Sequence, residues 1–369
     1  MDDGKIKRHI GIELLRVVSM LMIITLHWGG FGIKIIELIP YSFEWFFAWT
    51  VRGFAYMSVN TYVLISAYFL YHRCGGHKKL FQLWLEVVVY SLGIYLITIV
   101  TGNTQLSFKG LLHYTTPILS MAYWFVTSYV GMFFLSPFLN KSLQSLELKE
   151  HRNLCILLCV LFSIVPNFFF WSTWLNWGSS CGIVWFVVLY VIGAYIRRLS
   201  DTNELNIPKV KLWRVAALSW LLPVFSKIII ALLSQILTGD IVGSSVFYMN
   251  NSVIVLAGSI FTFLAFRSMD ITNVRIYKVI LFLSQGSFAV YLIHEHGCLR
   301  DIIWNFVGEH THRDSWLIVV DYFATVVCIY SFCVVVDYLR SKLFKLVNVD
   351  SLCNRLSKNC DSLYNRFLA

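Results

Sequence analysis

The first apolar segment of the chain, residues 10–29, carries three residues that could do chemistry: Glu13, Arg16 and His27. Hydrocarbon tolerates ionisable side chains only at a cost, so their presence in a stretch long enough to cross a bilayer indicates a use. Arg16 and His27 are eleven residues apart, which on a helix returns almost to the same face over about 16 Å. One stripe of this helix is therefore predicted to carry a fixed cation and, further along, a titratable base.

This stripe suits a substrate with an anionic head and a long thin arm, which would leave its charges at Arg16 and present its reactive end near His27. Coenzyme A thioesters have that shape, and a neutral imidazole near pH 7 can accept the proton of an attacking hydroxyl. Glu13 precedes Arg16 by three residues and is placed to hold the guanidinium. The structural alternative is that Arg16 snorkels to the surface and His27 merely lies at the interface.

The composition predicts an integral membrane protein. Of 369 residues, 58% are apolar, 17% aromatic and only 14% charged, which is more apolar surface than a soluble core could cover. The net charge of +10 lies in short segments between apolar runs rather than on a solvated basic face, which disfavours nucleic acid as a partner. The nine Cys lie mostly inside apolar runs and form no CxxC pair, so they predict neither a metal site nor a redox motif.

The apolar runs predict an all-α bundle of about ten transmembrane helices. Most of the 30 Lys and Arg fall in segments that would share one side of the membrane with the amino terminus, among them Lys5, Lys7, Arg8 and Arg73. By the positive-inside rule, both termini are then cytoplasmic. The outer loops are rich in interfacial aromatics, as in residues 171–177. The predicted spans lie near residues 10–29, 45–70, 80–101, 117–138, 152–171, 180–196, 213–238, 246–266, 277–297 and 315–340.

The chain divides into a membrane domain, residues 1–345, and a short cytoplasmic tail, residues 346–369. In the tail, apolar residues at spacings of four and seven alternate with basic ones, which is compatible with a helix lying on the inner leaflet and equally with disorder. The two halves of the chain share no repeat with matching breaks, which disfavours an inverted-repeat transporter.

Four segments together resemble the acyltransferase 3 family of integral membrane O-acyltransferases, of the type that modifies exopolysaccharides and O-antigens. Arg16-X10-His27 is similar to that family's signature in its first span. Two differences stand out: Ala67 replaces the usual Gly after Ser66, and the basic cluster at residues 73–79 has no Arg-x-x-Arg. The other matching segments are Ser58-Val-Asn60-Thr-Tyr-Val-Leu-Ile-Ser66-Ala-Tyr-Phe-Leu70, Tyr123-Trp124-Phe125-Val126 followed by Leu135-Ser-Pro137, and Ser287-Phe288-Ala-Val-Tyr291-Leu-Ile-His294.

The resemblance implies transfer of an acyl group, most often acetyl, from cytoplasmic acyl-CoA to a hydroxyl of a cell-surface glycan or its lipid-linked precursor. The enzyme would be a stand-alone member in a bacterial cytoplasmic (inner) membrane, with acyl-CoA as co-substrate and no bound cofactor. We expect His27 to act as the general base and Arg16 to position the donor. A two-step route through an acyl-histidine is the less favoured alternative, because nothing in the sequence requires it.

Several further residues are candidates for the site. His294 is expected at about the same membrane depth as His27, as interfacial histidine or supporting residue. Ser66 belongs to the second matching segment, and Trp124 is expected to pack or to line the pocket. Lys78 and Lys79, in the basic cluster after the second span, are candidate contacts for the donor phosphates.

Two cations inside predicted spans need partners. Lys227 lies near the middle of the seventh span, four residues after Pro223, and should face protein or a cavity, where it would bind donor phosphates or pair with a carboxylate. Arg52, near the outer start of the second span, is an interfacial anchor or a contact for an anionic acceptor. Neither choice is settled by the sequence.

Two other interpretations were considered. Glu295, His296, His310 and His312 bring potential ligands close in sequence, but their spacing fits no common zinc pattern, so no metal is predicted. A glycan exporter or flippase remains the alternative function, in which the buried charges line a translocation path instead of a reaction centre.

Overall fold

The structure, a computed structural model, describes residues 9–72, 78–169 and 180–357, and these residues form helices, turns and loops without a strand. Lys5, Lys7, Arg8, Arg73 and the aromatic segment 171–177 lie outside the described residues, as does the tail beyond residue 357. The helices are α1 (Ile10–His27), α2 (Phe43–Ala55), α3 (Met57–Leu70), α4 (Lys78–Val100), α5 (Phe108–Thr115), α6 (Trp124–Ser145), α7 (Leu148–Cys159), α8 (Val165–Phe168), α9 (Ile183–Asp201), α10 (Lys209–Thr238), α11 (Val253–Arg267), α12 (Val274–His294), α13 (Arg300–His310) and α14 (Ile318–Leu346).

Helix α1 lies at the centre of the bundle, packed against α2, α3, α11, α12 and α14. Its first half contributes Ile12 and Leu15 to an apolar core shared with α3 and α9, and its second half contributes Ile24 to a second core shared with α12 and α14. Hydrogen bonds add to this packing, with Ser19 Oγ 2.7 Å from Thr61 Oγ1 and Thr25 Oγ1 2.9 Å from the Tyr322 hydroxyl. The ionisable stripe predicted from the sequence therefore lies inside the protein.

Within the part of the chain that the structure describes, seven helices are long and apolar enough to cross a membrane, which makes the chain an integral membrane protein. Seven of the ten predicted spans correspond to these helices. The predicted second span is two shorter helices, α2 and α3, that meet at Tyr56; the predicted eighth is the 15-residue α11; and the predicted fourth begins at Trp124, seven residues late. Outer helices such as α14 expose apolar side chains, including Phe332, that suit contact with lipid. The ten-span count and the cytoplasmic placement of the termini stay predictions.

Local sequence sets where the site-bearing helices begin and end. The Asn273 side chain accepts hydrogen bonds from the backbone N–H groups of Arg275 and Ile276, and so caps the start of α12. At the other end of the site, α1 passes directly into a π-helical turn, Trp28–Gly32, immediately after His27. Beyond α14, residues 349–357 are helical, while the interfacial position of the tail stays a prediction.

Candidate active site

Arg16 lines a cavity of about 350 Å³ between α1, α3, α4, α6 and α12. Residues from all four matching segments meet there: Arg16 from the first, Ser66 from the second, Phe125 from the third and Ser287 from the fourth. Because these segments are distant in the chain, their convergence on one cavity is a property of the fold. It is the arrangement expected of a binding site rather than of four unrelated packing motifs.

The guanidinium of Arg16 is held on one side only. Its Nη1 lies 3.4 Å from both carboxylate oxygens of Glu13, as the three-residue spacing predicts. The Tyr62 hydroxyl donates to the Arg16 carbonyl at 2.9 Å and ties α3 to α1 at this level. The Arg16 side chain remains 32% exposed, so its other N–H groups can reach a ligand in the cavity.

His27 and His294 are in direct contact, although 267 positions separate them in the chain. The Nδ1 of His27 lies 2.9 Å from the Nε2 of His294, and the two rings are tilted at 48°. Helix α12 places His294 on its last turn, where it packs against the last turn of α1. The two residues thus meet at one level of the bundle, as their predicted positions require, and His294 is a hydrogen-bond partner of His27.

The partners of the two imidazoles determine where their protons lie. His294 Nδ1 contacts the Val290 carbonyl oxygen, which can only accept, so this nitrogen carries the proton and Nε2 of the neutral ring is an acceptor. His27 must then donate from Nδ1 to His294, which leaves the lone pair of a neutral His27 on Nε2. A backbone carbonyl thus sets the tautomer of His27 through His294.

Glu295, the first residue after α12, completes this group. Its Oε2 lies 3.1 Å from His27 Nδ1 and its Oε1 lies 3.5 Å from Arg300 Nη1. Oε2 accepts no hydrogen bond from the described residues, because the single Nδ1 proton of His27 goes to His294. Burial raises the pKa of Glu295 to about 7, against the lowering effect of Arg300. Its charge can therefore change close to neutral pH.

One aromatic residue, Tyr291, lies between the cavity and the two histidines. Its ring is 5.9 Å from that of Phe125, which lines the cavity, and 6.4 Å from that of His294. His27 is not among the cavity's lining residues, so Arg16 and His27 are linked through this aromatic pair and not through one open space. The Tyr291 hydroxyl is buried, and its proton finds no acceptor among the described residues, which is unusual for a phenol.

The remaining sequence candidates on the inner side divide into two groups. Ser66 lines the cavity and donates to the Tyr62 carbonyl at 3.1 Å. Trp124 instead packs edge-on against Phe125 and Phe186, so its neighbour Phe125 is the lining residue. Lys78 and Lys79 begin α4 outside the cavity, about one turn before the lining residue Leu83.

Lys227 and Arg52 both lie on the side of the molecule where α2 and α10 pack together. Lys227 is buried, as predicted, but its Nζ bonds the hydroxyls of Ser244 and Ser245 and makes no ion pair with a carboxylate in the described part of the chain. Arg52 donates to the Leu26 carbonyl at 2.8 Å, directly beside His27. Neither residue lines the Arg16 cavity, so a role for Lys227 at the donor phosphates gains no support.

The structure separates the histidines that are close in sequence. His296 is fully buried and satisfied by the Ser91 carbonyl at 2.9 Å, whereas His312 pairs with Asp321. Within the described residues, these histidines and His310 do not form a cluster with Glu295.

A different trio does gather. One potential ligand atom from each of His27, His294 and Glu295 lies within 4.8 Å of the others, a grouping that sequence spacing could not predict because His27 comes from α1. The His27–His294 hydrogen bond and the ion pair of Glu295 with Arg300 account for the arrangement, and the prediction of no metal stays a prediction.

Sequence reasoning overlooked Tyr291, Phe125 and the partnership of Glu295 with His27. The first two stood inside the matching segments, so their position in a motif was the available signal. Glu295 was considered only as a metal ligand, and its adjacency to His294 at the end of an apolar run was the feature that could have pointed to His27.

The fold and the site together define a helical membrane protein in which an oriented histidine pair lies near a cavity bordered by a cation. The acyltransferase 3 family model, described as an acyltransferase domain, matches residues 9–338, and the chain belongs to this family. Comparison with curated proteins and with solved structures gave no significant match. Family membership favours acyl transfer over the glycan exporter considered from the sequence.

Proposed function

We propose that the protein transfers an acyl group, most simply acetyl, from cytoplasmic acyl-CoA to a hydroxyl of a cell-surface glycan or of its lipid-linked precursor in a bacterial inner membrane. The observation that carries this proposal is the placement of the four matching segments around one cavity that leads, through Phe125 and Tyr291, to the His27–His294 pair. The cavity would hold the donor, and the histidine pair would serve the reaction.

The donor is proposed to enter from the cytoplasmic side. Arg16, with one face free of Glu13, would contact the phosphates or the polar arm, and Lys79, about one turn before Leu83, would contact phosphates at the entrance. The separation of about 16 Å along α1 between Arg16 and His27 is comparable to the length of a pantetheine arm. The thioester would then reach His27 by displacing the Tyr291 ring.

The reaction itself would proceed in one acyl transfer. His27 Nε2 takes the proton of the acceptor hydroxyl while that oxygen attacks the thioester carbonyl, and the tetrahedral intermediate breaks its C–S bond. The departing thiolate takes the proton back from His27, so that CoA leaves as a thiol and the acyl ester remains on the acceptor. His294 holds the ring orientation, and Glu295, 3.1 Å from Nδ1, favours the transient imidazolium.

The developing oxyanion needs a donor, and Tyr291 is the proposed one. Its hydroxyl is buried one helical turn before His294, and its proton has no acceptor among the described residues, so no donated hydrogen bond must be broken for it to bind an oxyanion. A donor that is already desolvated and whose proton has no acceptor stabilises charge that appears only in the transition state.

The proposal is tested with purified protein in lipid nanodiscs supplied with acetyl-CoA and candidate glycan acceptors. We expect release of the CoA thiol and an ester on the acceptor, both lost in His27→Ala. If the folded wild-type protein neither binds acetyl-CoA nor releases thiol with any acceptor, while moving a labelled glycolipid between leaflets, the exporter alternative replaces this proposal. A chelator added to the active enzyme tests the metal prediction, since activity should persist.

A further inference from the structure

Arg52 contacts the backbone of α1 just before His27 and the backbone that follows His27. Its Nη1 donates to the carbonyl of Leu26, which precedes His27, at 2.8 Å. On the other side, a Cβ at Gly29 would come 3.0 Å from Nη1 and one at Gly30 would come 3.5 Å from it. Gly29 thus admits the guanidinium against the backbone that follows His27, where a Cβ would crowd it, whereas a Cβ at Gly30 would make an ordinary contact.

Lys227 joins Arg52 through a shared set of aromatic rings. Its Nζ lies 3.6 Å from the ring centroid of Trp49, which is one helical turn before Arg52 on α2. The Tyr248 ring contacts both Trp49 and Tyr56, at 5.4 and 5.3 Å, and the Arg52 guanidinium lies 5.5 Å from the Tyr56 ring. Two cations therefore border one aromatic surface beside His27.

The charges of these two residues are not balanced by carboxylates. Arg300, which also lies near His27, pairs with Glu295 and Asp301, and Arg16 pairs with Glu13. Arg52 and Lys227, by contrast, form no ion pair within residues 9–72, 78–169 and 180–357. Residues 170–179 contain no Asp or Glu that could supply one. Positive charge in a poorly solvated place is costly unless an anion accompanies it.

We infer that Arg52, assisted by Lys227, binds an anionic group of the acceptor. The glycan whose hydroxyl gives its proton to His27 would then carry a phosphoryl or carboxylate group near that hydroxyl. This inference rests on the proposed function and specifies its acceptor. A guanidinium has five N–H donors, of which the structure uses one toward Leu26 and one toward Tyr56, and the others suit a bidentate anion.

The competing explanation is that Arg52 only caps the Leu26 carbonyl. The π-helical turn that starts at Trp28 alters the backbone hydrogen-bonding pattern here, and Arg52 satisfies this acceptor. A neutral side chain with an N–H donor can do the same, so Arg52→Gln separates the two explanations. It keeps a donor for Leu26 and removes the charge.

The test measures binding by fluorescence, with Trp49 as the reporter beside Lys227 and Trp49→Phe identifying its signal among the 13 Trp. Protein in phosphatidylcholine nanodiscs is titrated with glucose 1-phosphate, glucuronic acid and glucose. We expect the phosphate, the carboxylate or both to bind and glucose not to bind. Arg52→Gln should raise the Kd at least about tenfold. Arg313→Gln, which removes a cation that already has a carboxylate partner in Glu37, should leave the Kd unchanged.

Three outcomes overturn the inference: no preference for the anionic sugars over glucose, the same Kd in Arg52→Gln and wild type, or loss of sugar binding when phosphatidylglycerol replaces phosphatidylcholine. The last outcome would assign the cations to a lipid headgroup. Thiol release from acetyl-CoA, measured on the same preparation, reports separately on the proposed function. Failure of acyl transfer with intact, Arg52-dependent anion binding is thus distinguishable from failure of the anion site.

Discussion

The surroundings of Arg16 and of His27, about three turns apart on one helix, differ in how open they are to a ligand. Arg16 is about one-third exposed, borders a cavity of about 350 Å³ and has Glu13 as its ion-pair partner. His27 is enclosed by His294, Glu295 and Trp304, and its Nδ1 is fully engaged. The first environment leaves room for a ligand to fit in several ways, whereas the second fixes one ring in one tautomer.

This difference indicates a division of labour between binding and chemistry. A flexible guanidinium beside an open cavity can hold a large anion without exact placement, while proton transfer requires a base with its lone pair in a defined direction. Variants at the two ends should therefore change different kinetic parameters, and the predictions below are ordered by the size of that effect.

The largest effect is expected at His27. His27→Ala should lower kcat by about 10³-fold because the base is lost, with little change in the KM for acetyl-CoA. His294→Gln should retain more activity than His294→Ala, since a glutamine carbonyl can still accept the Nδ1 proton of His27. The measurement is thiol release under saturating donor. His310→Ala, at an exposed histidine, is the matched control. If His27→Ala and His310→Ala lost the same activity, His27 would not be the base.

The next effect tests whether the hydroxyl or only the ring of Tyr291 matters. Tyr291→Phe should lower kcat by about 10²-fold without raising the KM, because the donor to the oxyanion is lost. The thermal stability should change little, because the hydroxyl proton has no acceptor among the described residues. Tyr123→Phe gives the converse control, since its hydroxyl donates to the Leu292 carbonyl at 3.0 Å. Unchanged kcat in Tyr291→Phe would leave the residue with a packing role only.

At the cavity, Arg16→Gln should weaken binding of the acyl donor. The KM for acetyl-CoA should rise roughly 10- to 100-fold, the value of a charge-assisted hydrogen bond to a phosphate or amide, while kcat at saturation falls much less. Arg16→Lys should recover part of the affinity. If Arg16→Gln instead lowered kcat and kept the KM, Arg16 would act in the chemical step, and the division between binding at Arg16 and proton transfer at His27 would be wrong.

The smallest effect concerns pH. Protonation of Glu295 removes the negative charge that faces His27, so the rate should fall as pH drops through about 7 and level off above it. Glu295→Gln should flatten this limb and lower the plateau by about tenfold. Asp270→Asn changes an exposed carboxylate that pairs with Lys209 and should keep the wild-type profile. If Glu295→Gln left the dependence of the rate on pH unchanged, the fall in rate at low pH would not be due to this residue.

The inner end of the site could be predicted from the sequence to a greater extent than the outer end. The pairing of Glu13 with Arg16 follows from a three-residue helical spacing, which is local information. The contact of His27 with His294 was expected only as a shared depth, because depth follows from span assignment whereas contact depends on which helices are neighbours. The packing of α1 on α12 is a tertiary property that no periodicity records.

Three predicted spans show the same limit. A hydropathy window reads residues 45–70 as one helix, yet the chain breaks at Tyr56 because α2 packs on α10 while α3 packs on α9 and α11. No feature of the sequence as strong as the apolar content of a span predicts that α11 is short or that α6 starts late. Apolar content indicates that a segment is in the membrane, and tertiary contacts decide where its helix bends or stops.

The irregular geometry of the first span begins only after His27. From Ile10 to His27 the helix is uninterrupted, and the π-helical turn follows at Trp28. An insertion in the loop that follows the turn would therefore leave the distance between Arg16 and His27 unchanged, because both residues lie in the regular helix before it. In the proposed reaction, α1 acts as a molecular ruler for the donor's arm. A short acyl thioester such as acetyl-N-acetylcysteamine cannot occupy both ends of it at once.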